Sequence, residues 1–104
     1  MNALIAFEAK NENTSKLLRR RLETFPTWVA LTPSAYLIVA TESISELIET
    51  LQRHLGPQDQ LWVFEPTARW AGYGDPIVDD HVVGILGDGV DWIPTDWPER
   101  AQGQ

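Results

Sequence analysis

Short apolar runs alternate with polar and breaker-rich stretches along the chain. Each run is at most eight residues long, contains β-branched or aromatic residues, and is bounded by Pro, Gly, Ser or charged residues. These features favour strands over helices. The predicted strands are Asn2–Glu8, Trp28–Leu31, Ala35–Ala40 and Gln60–Glu65, with a hairpin across Thr32-Pro33-Ser34 between the second and the third.

A first amphipathic helix is predicted over Asn13–Thr24, with Asn13 or Thr14 as its cap. Its outer face carries the run Arg19-Arg20-Arg21. Arg19 and Arg20 either contact a phosphate or belong to a solvated face on which Arg19 pairs with Glu23, four residues later. The apolar stripe of this helix is Leu17, Leu18, Leu22 and Phe25.

A second helix begins with the strongest local signal in the chain. Ser43 is followed three residues later by Glu46, the spacing of a capping box, and Gly56-Pro57 ends the helix. The element order is therefore strand, helix, strand, strand, helix, strand. This order predicts an α+β, ferredoxin-like βαββαβ fold: an antiparallel four-stranded sheet with two helices on one face and the first and third strands at its centre.

The predicted strands are apolar on both faces. Leu4 and Ala6 alternate with Ile5 and Phe7, although a strand with one solvated face should alternate apolar and polar residues. We therefore expect a partner subunit or the C-terminal segment to cover the second face, which predicts a homodimer. The candidate interface residues are Trp28, Tyr36, Trp62, Phe64, Trp70, Val82, Val83 and Ile85.

The chain is predicted to have one ferredoxin-like domain, residues 1–72, followed by an extension. Residues 73–93 are predicted to form a fifth strand or a hairpin that pairs with the partner subunit, because Val82–Leu86 is apolar and Gly87-Asp88-Gly89 is typical of a turn. Residues 94–104 are predicted to be disordered.

The formal charge of −7 is concentrated at the C-terminal end. Residues 1–70 contain eight acidic and seven basic residues, whereas residues 71–104 contain seven acidic residues and Arg100 as the single basic one. An acidic tail repels nucleic-acid phosphate, so we expect no nucleic-acid binding through it. There is no cysteine and no apolar run long enough for a membrane span, and we expect a cytoplasmic protein without a membrane association.

Several segments resemble the SinR-like proteins, relatives of the CRISPR-associated Cas2 family. They are the acidic exit of the first strand at Phe7-Glu8, the Trp28 strand, the Ser34–Val39 strand, the capping-box helix, Asp59–Val63 and Trp70-Ala71-Gly72, and the resemblance covers roughly residues 1–72. It implies a ferredoxin-like protomer that dimerises, with the segment after the fourth strand pairing with the other subunit.

The resemblance also implies possible chemistry at Glu8. Cas2 proteins have been described as metal-dependent nucleases and as structural partners of an integrase, with the catalytic role on an aspartate where this chain has Glu8. Glu8 is one methylene longer, and Mg²⁺ requires near-ideal octahedral geometry. Glu8 is therefore a solvated carboxylate, a structural hydrogen-bond acceptor, or a metal ligand that acts with its symmetry mate.

A second group of possible metal ligands is Asp79-Asp80-His81, with Asp75 nearby, but adjacent residues rarely point at one centre. The first functional hypothesis is a non-catalytic homodimeric domain, without a cofactor, that acts through protein association, including a further protein partner. The alternatives are a nuclease that uses Glu8 with Mg²⁺ or Mn²⁺ across the dimer axis, and a small-molecule-binding dimer with a pocket lined by Trp and Tyr.

Overall fold

The fold is given by a computed structural model, which describes residues 1–66 and 69–89. None of the helices in these two ranges has both the length and the apolar character needed to cross a membrane. In chain order the elements are β1 (Asn2–Glu8), α1 (Glu12–Leu22), β2 (Thr27–Thr32), β3 (Ala35–Val39), α2 (Ile44–Gln52), β4 (Gln60–Phe64) and α3 (Pro76–Leu86).

The strands form one antiparallel sheet in the order β2-β3-β1-β4. The predicted ferredoxin-like arrangement is confirmed, with the first and third strands at the centre. Leu4 of β1 lies opposite Leu37 of β3 on one side and opposite Phe64 of β4 on the other. Because side chains alternate between the two faces of a strand, this register determines which residues share a face.

The inner face of the sheet is the one that α1 and α2 cover. Ile5 and Phe7 of β1 point to it, and apolar residues of both helices bury them. The two helices thus lie on one face of the sheet, as the sequence predicts. The buried residues of this core are Ala3, Ile5, Phe7, Leu18, Leu22, Phe25, Tyr36, Ile38, Ala40, Leu47 and Leu51.

Helix α1 begins at Glu12, one residue earlier than the sequence predicts. Asn11, and not Asn13 or Thr14, is the N-cap, and its side-chain oxygen accepts a hydrogen bond from the backbone N–H of Asn13 at 2.7 Å. Leu17 is 51% exposed, so the buried stripe of this helix consists of Leu18 and Leu22.

The capping box of α2 is confirmed. The Ser43 hydroxyl accepts a hydrogen bond from the Glu46 N–H at 3.2 Å, and the Glu46 carboxylate accepts one from the Ser43 N–H at 2.9 Å. The hydrogen bond from the Ser43 N–H to the carboxylate lowers the pKa of Glu46. The two bonds of the capping box satisfy N–H groups that have no partner within the helix.

Replacing Ser43 by alanine is expected to reduce the free energy of unfolding by about 1 kcal/mol, because the cap loses its acceptor. The matched control is Ser45→Ala, in the same first turn but outside the capping box, which is expected to change stability by less than about 0.5 kcal/mol. Urea denaturation of both variants measures the difference. Equal losses in the two would contradict the capping role of Ser43.

The segment after β4 contains a helix, not the predicted strand or hairpin. Asp75 caps α3, its Oδ1 accepting a hydrogen bond from the Ile77 N–H at 2.8 Å, and Pro76 occupies the first turn, where it costs no hydrogen bond. Gly87 ends the helix at a φ of 82°, a conformation that favours glycine. Val82–Leu86 is therefore helical, and residues 90–93 of the predicted extension and the predicted tail, residues 94–104, lie outside the described residues.

Candidate functional site

The outer face of the sheet, opposite α1 and α2, is also apolar. Helix α3 covers the part of it formed by β2 and β3, where Val82 packs against Val29 and Leu37. The prediction that the strands have two apolar faces is thus confirmed, and the covering element on this part is a helix of the same chain. Trp70, Val78, Ile85 and Leu86 are the partly buried residues around this second cluster.

The other part of the outer face carries two exposed aromatic side chains. Trp62 is 56% exposed and Phe64 is 53% exposed, and both belong to β4, which ends the sheet on that side. Phe64, Leu4, Leu37 and Val29 lie in one row across the four strands. We call Trp62 and Phe64 the aromatic edge. These two residues lie at the β4 end of the apolar outer face, and α3 covers the β2 end of the same face.

A cleft of about 450 Å³ lies between the outer face and the chain that follows β4. We call it the α3 cleft. Leu37 and Val82, both buried, lie at its base, and Leu31 and Thr32 of β2 line one wall. A register shift between Ala30 and Thr32 interrupts the alternation of β2 and lets two consecutive residues line the same cleft. The remaining lining residues are Leu4, Pro66, Trp70, Ala71, Gly72, Tyr73, Gly74, Asp75, Val78, Asp79 and Leu86.

Trp70, in the wall of this cleft, forms a hydrogen bond to the end of α3. Its indole Nε1–H donates a hydrogen bond to the Gly87 carbonyl at 2.8 Å. At Gly89 a Cβ would lie 2.8 Å from the Trp70 carbonyl oxygen and 3.1 Å from its ring, so a side chain there requires the backbone to move. The close approach at Gly89 and the hydrogen bond at Gly87 hold Trp70 in place.

The acidic residues of α3 separate into two sites. Asp75 and Asp79 line the α3 cleft, whereas Asp80 and His81 line a second cleft, next to Trp28. The His81 Nδ1 lies 2.7 Å from the Ile77 carbonyl oxygen. Within residues 1–66 and 69–89 no group of three or more Asp, Glu, His or Cys residues is arranged to hold a metal ion.

Glu8 is exposed at the end of β1, and its carboxylate lies 3.4 Å from the Lys10 ammonium. Asp59 is at the same end of the sheet, since Gln60 pairs with Glu8. The Asp59 carboxylate accepts hydrogen bonds from the Gly56 N–H at 2.8 Å and the Lys10 N–H at 2.9 Å, which lower its pKa. Asp59 thus has a structural role in this loop, and a cation at Glu8 would have to displace Lys10.

Arg19, the first residue of the arginine run on α1, forms a different ion pair from the predicted one. Arg19 pairs with Glu12 at 3.2 Å instead of with Glu23. Glu23 accepts a hydrogen bond from the Tyr36 hydroxyl at 2.6 Å. Arg20 is exposed next to them on the helix surface.

The predicted interface residues have different environments. Tyr36 is 2% exposed and its ring lies 5.9 Å from that of Trp28, so it belongs to the core of its own chain. Trp28 is partly exposed on β2, at the other edge of the sheet. Trp62 and Phe64 are open to solvent. The other candidates, Trp70, Val82, Val83 and Ile85, lie on α3 or in the segment before it, where they are buried or half-buried.

The α3 cleft was not predicted from the sequence in its present form, although a pocket lined by Trp and Tyr was one alternative. Asp75-Pro76, a cap followed by proline at the first helical position, is a helix-start signal that could have located α3.

No protein-family model matches this chain, and no curated protein matches it either. Any functional conclusion therefore rests on the arrangement of these side chains.

Proposed function

We propose that this protein is a non-catalytic association domain that forms a homodimer through β4. The observation that carries the proposal is the aromatic edge, where Trp62 and Phe64 are each more than half exposed. Aromatic side chains of this size bury large areas in interfaces and dominate their energetics. Two of them side by side on a sheet edge are typical of a surface that another molecule covers.

The backbone of β4 supports strand pairing at this edge. Within residues 1–66 and 69–89, β4 has a neighbouring strand on one side only, and Gln60–Phe64 contains no charged residue and no proline. Natural proteins usually protect exposed edges with charges, proline or bulges, because an unprotected edge pairs with other strands. At the other edge, β2 is packed against α3 and is preceded by Pro26 and followed by Pro33.

A second copy of the chain fits this edge better than an unrelated strand does. In an antiparallel pair about a two-fold axis at Val63, Trp62 of each copy lies opposite Phe64 of the other. The pairing therefore creates two aromatic contacts on one face, each worth about 0.5–1.5 kcal/mol beyond the buried area. The same surface serves both copies, which is how closed two-fold dimers are built. The resemblance to the SinR-like proteins supports dimerisation as such, although it implies pairing through the segment after the fourth strand and not through β4.

The experiment that tests the dimer is sedimentation equilibrium at micromolar concentrations with Trp62→Lys. We expect the wild-type chain to be a dimer, and the substitution to raise the dimer dissociation constant at least tenfold, the size of a typical hot-spot effect of about 1.4 kcal/mol or more. The matched control is Trp28→Lys, a partly exposed tryptophan on the opposite edge strand, which should leave the constant unchanged.

Salt provides a second test of the same interface. Each chain carries a formal charge of −7, so two copies repel each other, and the proposed contact contains no ion pair to offset this. Added salt screens the repulsion. We expect dimerisation to strengthen between low and moderate salt. A wild-type chain that stays monomeric at every salt concentration contradicts the proposal, and so does a dimer that Trp62→Lys leaves intact.

The non-catalytic part of the proposal is tested by incubating the protein with RNA and with DNA in Mg²⁺ or Mn²⁺, beside Glu8→Ala. The Glu8 carboxylate is exposed and next to the Lys10 ammonium, an arrangement that favours a surface ion pair over a metal ligand. We expect neither protein to cleave either substrate. Cleavage by the wild-type chain that Glu8→Ala abolishes would favour the nuclease hypothesis instead.

A further inference from the structure

We propose that the α3 cleft is a binding site for a small organic cation, an ammonium group attached to an aromatic or aliphatic body. The site is separate from the proposed dimer, since its lining residues come from β1, β2, β3, α3 and the segment before α3, and the proposed interface is β4. A monomeric chain would keep it. Its volume of about 450 Å³ lies within the range of small-molecule sites in proteins, about 300–1,000 Å³.

The walls of the cleft favour an apolar ligand body. Leu37 and Val82 close its base, and Leu31 forms the side towards β2. Trp70 lies on the opposite side and is fixed through its hydrogen bond to Gly87. A rigid aromatic wall loses little conformational entropy when a ligand binds, which favours binding by a preformed site.

The charge of the cleft favours a cation. Among the described residues, the charged ones that line it are Asp75 and Asp79, and none of the lining residues is a lysine, arginine or histidine. They lie one turn apart near the start of α3, so their carboxylates are on the same side of the helix. The positive end of the helix dipole amounts to roughly half an elementary charge, which two carboxylates outweigh. An anionic ligand would meet a net negative rim.

The two carboxylates have different roles. Asp75 uses Oδ1 to accept the N-cap hydrogen bond from Ile77. The Asp79 carboxylate, unlike the backbone N–H of this residue, has no hydrogen-bond or ion-pair partner in the part of the chain that the structure describes. Asp79 is therefore the residue that would pair with the ammonium group. Trp70 also lines the cleft, and an aromatic ring attracts a cation that lies over its face.

The test compares three probes of the same shape: 2-phenylethylammonium, neutral 2-phenylethanol and anionic 3-phenylpropanoate. Binding is followed by ¹H–¹⁵N NMR at low salt, using the indole N–H signal of Trp70. We expect the cation to bind at least about tenfold more tightly than the anion, to shift the Trp70 signal more than that of Trp62, and to weaken with added salt.

The matched variants are Asp79→Asn and Asp80→Asn. They remove the same charge from neighbouring positions of α3, but Asp80 lines the other cleft. We expect Asp79→Asn to weaken binding of 2-phenylethylammonium about three- to tenfold, and Asp80→Asn to change it less than about twofold, since an exposed ion pair contributes modestly. Both variants keep the wild-type fold if their remaining indole signals are unchanged.

Three results would overturn the proposal. One is equal binding of the cation and the anion, and another is no binding of any probe at millimolar concentration. The third is an equal loss in Asp79→Asn and Asp80→Asn, which would mean that the general negative charge of the chain, and not the α3 cleft, attracts the cation. None of these results bears on the dimer, which the Trp62→Lys experiment tests separately.

Discussion

Replacing Leu18 by alanine is expected to lower the free energy of unfolding by about 2–5 kcal/mol, the range measured for leucines in well-packed cores. Leu18 is 0% exposed and belongs to the cluster in which α1, α2 and the inner face of the sheet meet. Truncation leaves a cavity at this junction, and the surrounding side chains collapse into it only partly. For a domain whose total stability is typically about 5–15 kcal/mol, this loss is large.

The matched control is the neighbouring residue, Leu17, which is half exposed. Leu17→Ala removes the same atoms from a half-exposed position of α1 and is expected to change stability by less than about 0.5 kcal/mol, because alanine also has the higher helix propensity. Urea denaturation of the two variants measures the contrast. A comparable loss at Leu17 would mean that this face of α1 is buried in solution, by a second copy of the chain or another partner.

The comparison of these two leucines shows what the sequence predicts well. The apolar stripe of α1 was identified from spacing, but Leu17 and Leu18 are adjacent and cannot both face the sheet. Spacing of four and then three residues selects Leu18, Leu22 and Phe25, and these three are the buried ones. The element order and the capping box of α2 were predicted correctly because each depends on residues that are close in the chain.

Helix α3 shows where local patterns mislead. Val82-Val83-Gly84-Ile85 is rich in β-branched residues and contains glycine, which favours a strand on propensity alone. Val78, Val82, Ile85 and Leu86 nevertheless recur at helical spacing and cover the outer face. The gain from burying this stripe against Val29 and Leu37 outweighs the small propensity cost of valine in a helix.

The α3 cleft could not be predicted as a unit because its walls come from four distant parts of the chain. Leu4, the bulged end of β2, Leu37 and the segment from Trp70 to α3 meet only after the sheet has formed. The aromatic edge was closer to prediction: the sequence indicated that the second face is apolar, and Trp62 and Phe64 were identified as interface candidates. The structure adds that Trp62 and Phe64 are exposed, because α3 covers only the opposite part of the outer face.

The second large effect concerns Tyr36 and high pH. Burial, together with the hydrogen bond to the Glu23 carboxylate and the negative charge of that carboxylate, raises the pKa of Tyr36 to about 12. The neutral, protonated phenol is the form that the folded state favours. In the unfolded chain the phenol ionises near its ordinary pKa of 10.0.

The sign of the pH dependence follows from this difference. Below pH 10 the phenol is protonated in both states, and the stabilisation is fully present. Between pH 10 and pH 12 the unfolded chain loses its proton while the folded protein keeps it, so the free energy of unfolding falls. A shift of about two pKa units corresponds to a loss of roughly 3 kcal/mol in all.

Tyr36→Phe separates this contribution from that of the other groups that titrate at high pH. At pH 8 the variant is expected to be about 1 kcal/mol less stable than the wild type, since it lacks the hydrogen bond to Glu23. As the pH rises to 12 the wild type loses the stabilisation from Tyr36 and the variant does not, so the order of stability reverses. Urea denaturation of both proteins at pH 8, 10, 11 and 12 measures this crossing. A difference that stays constant across the series would contradict the role assigned to the Tyr36 hydroxyl, because a purely structural loss on removing the hydroxyl does not depend on pH.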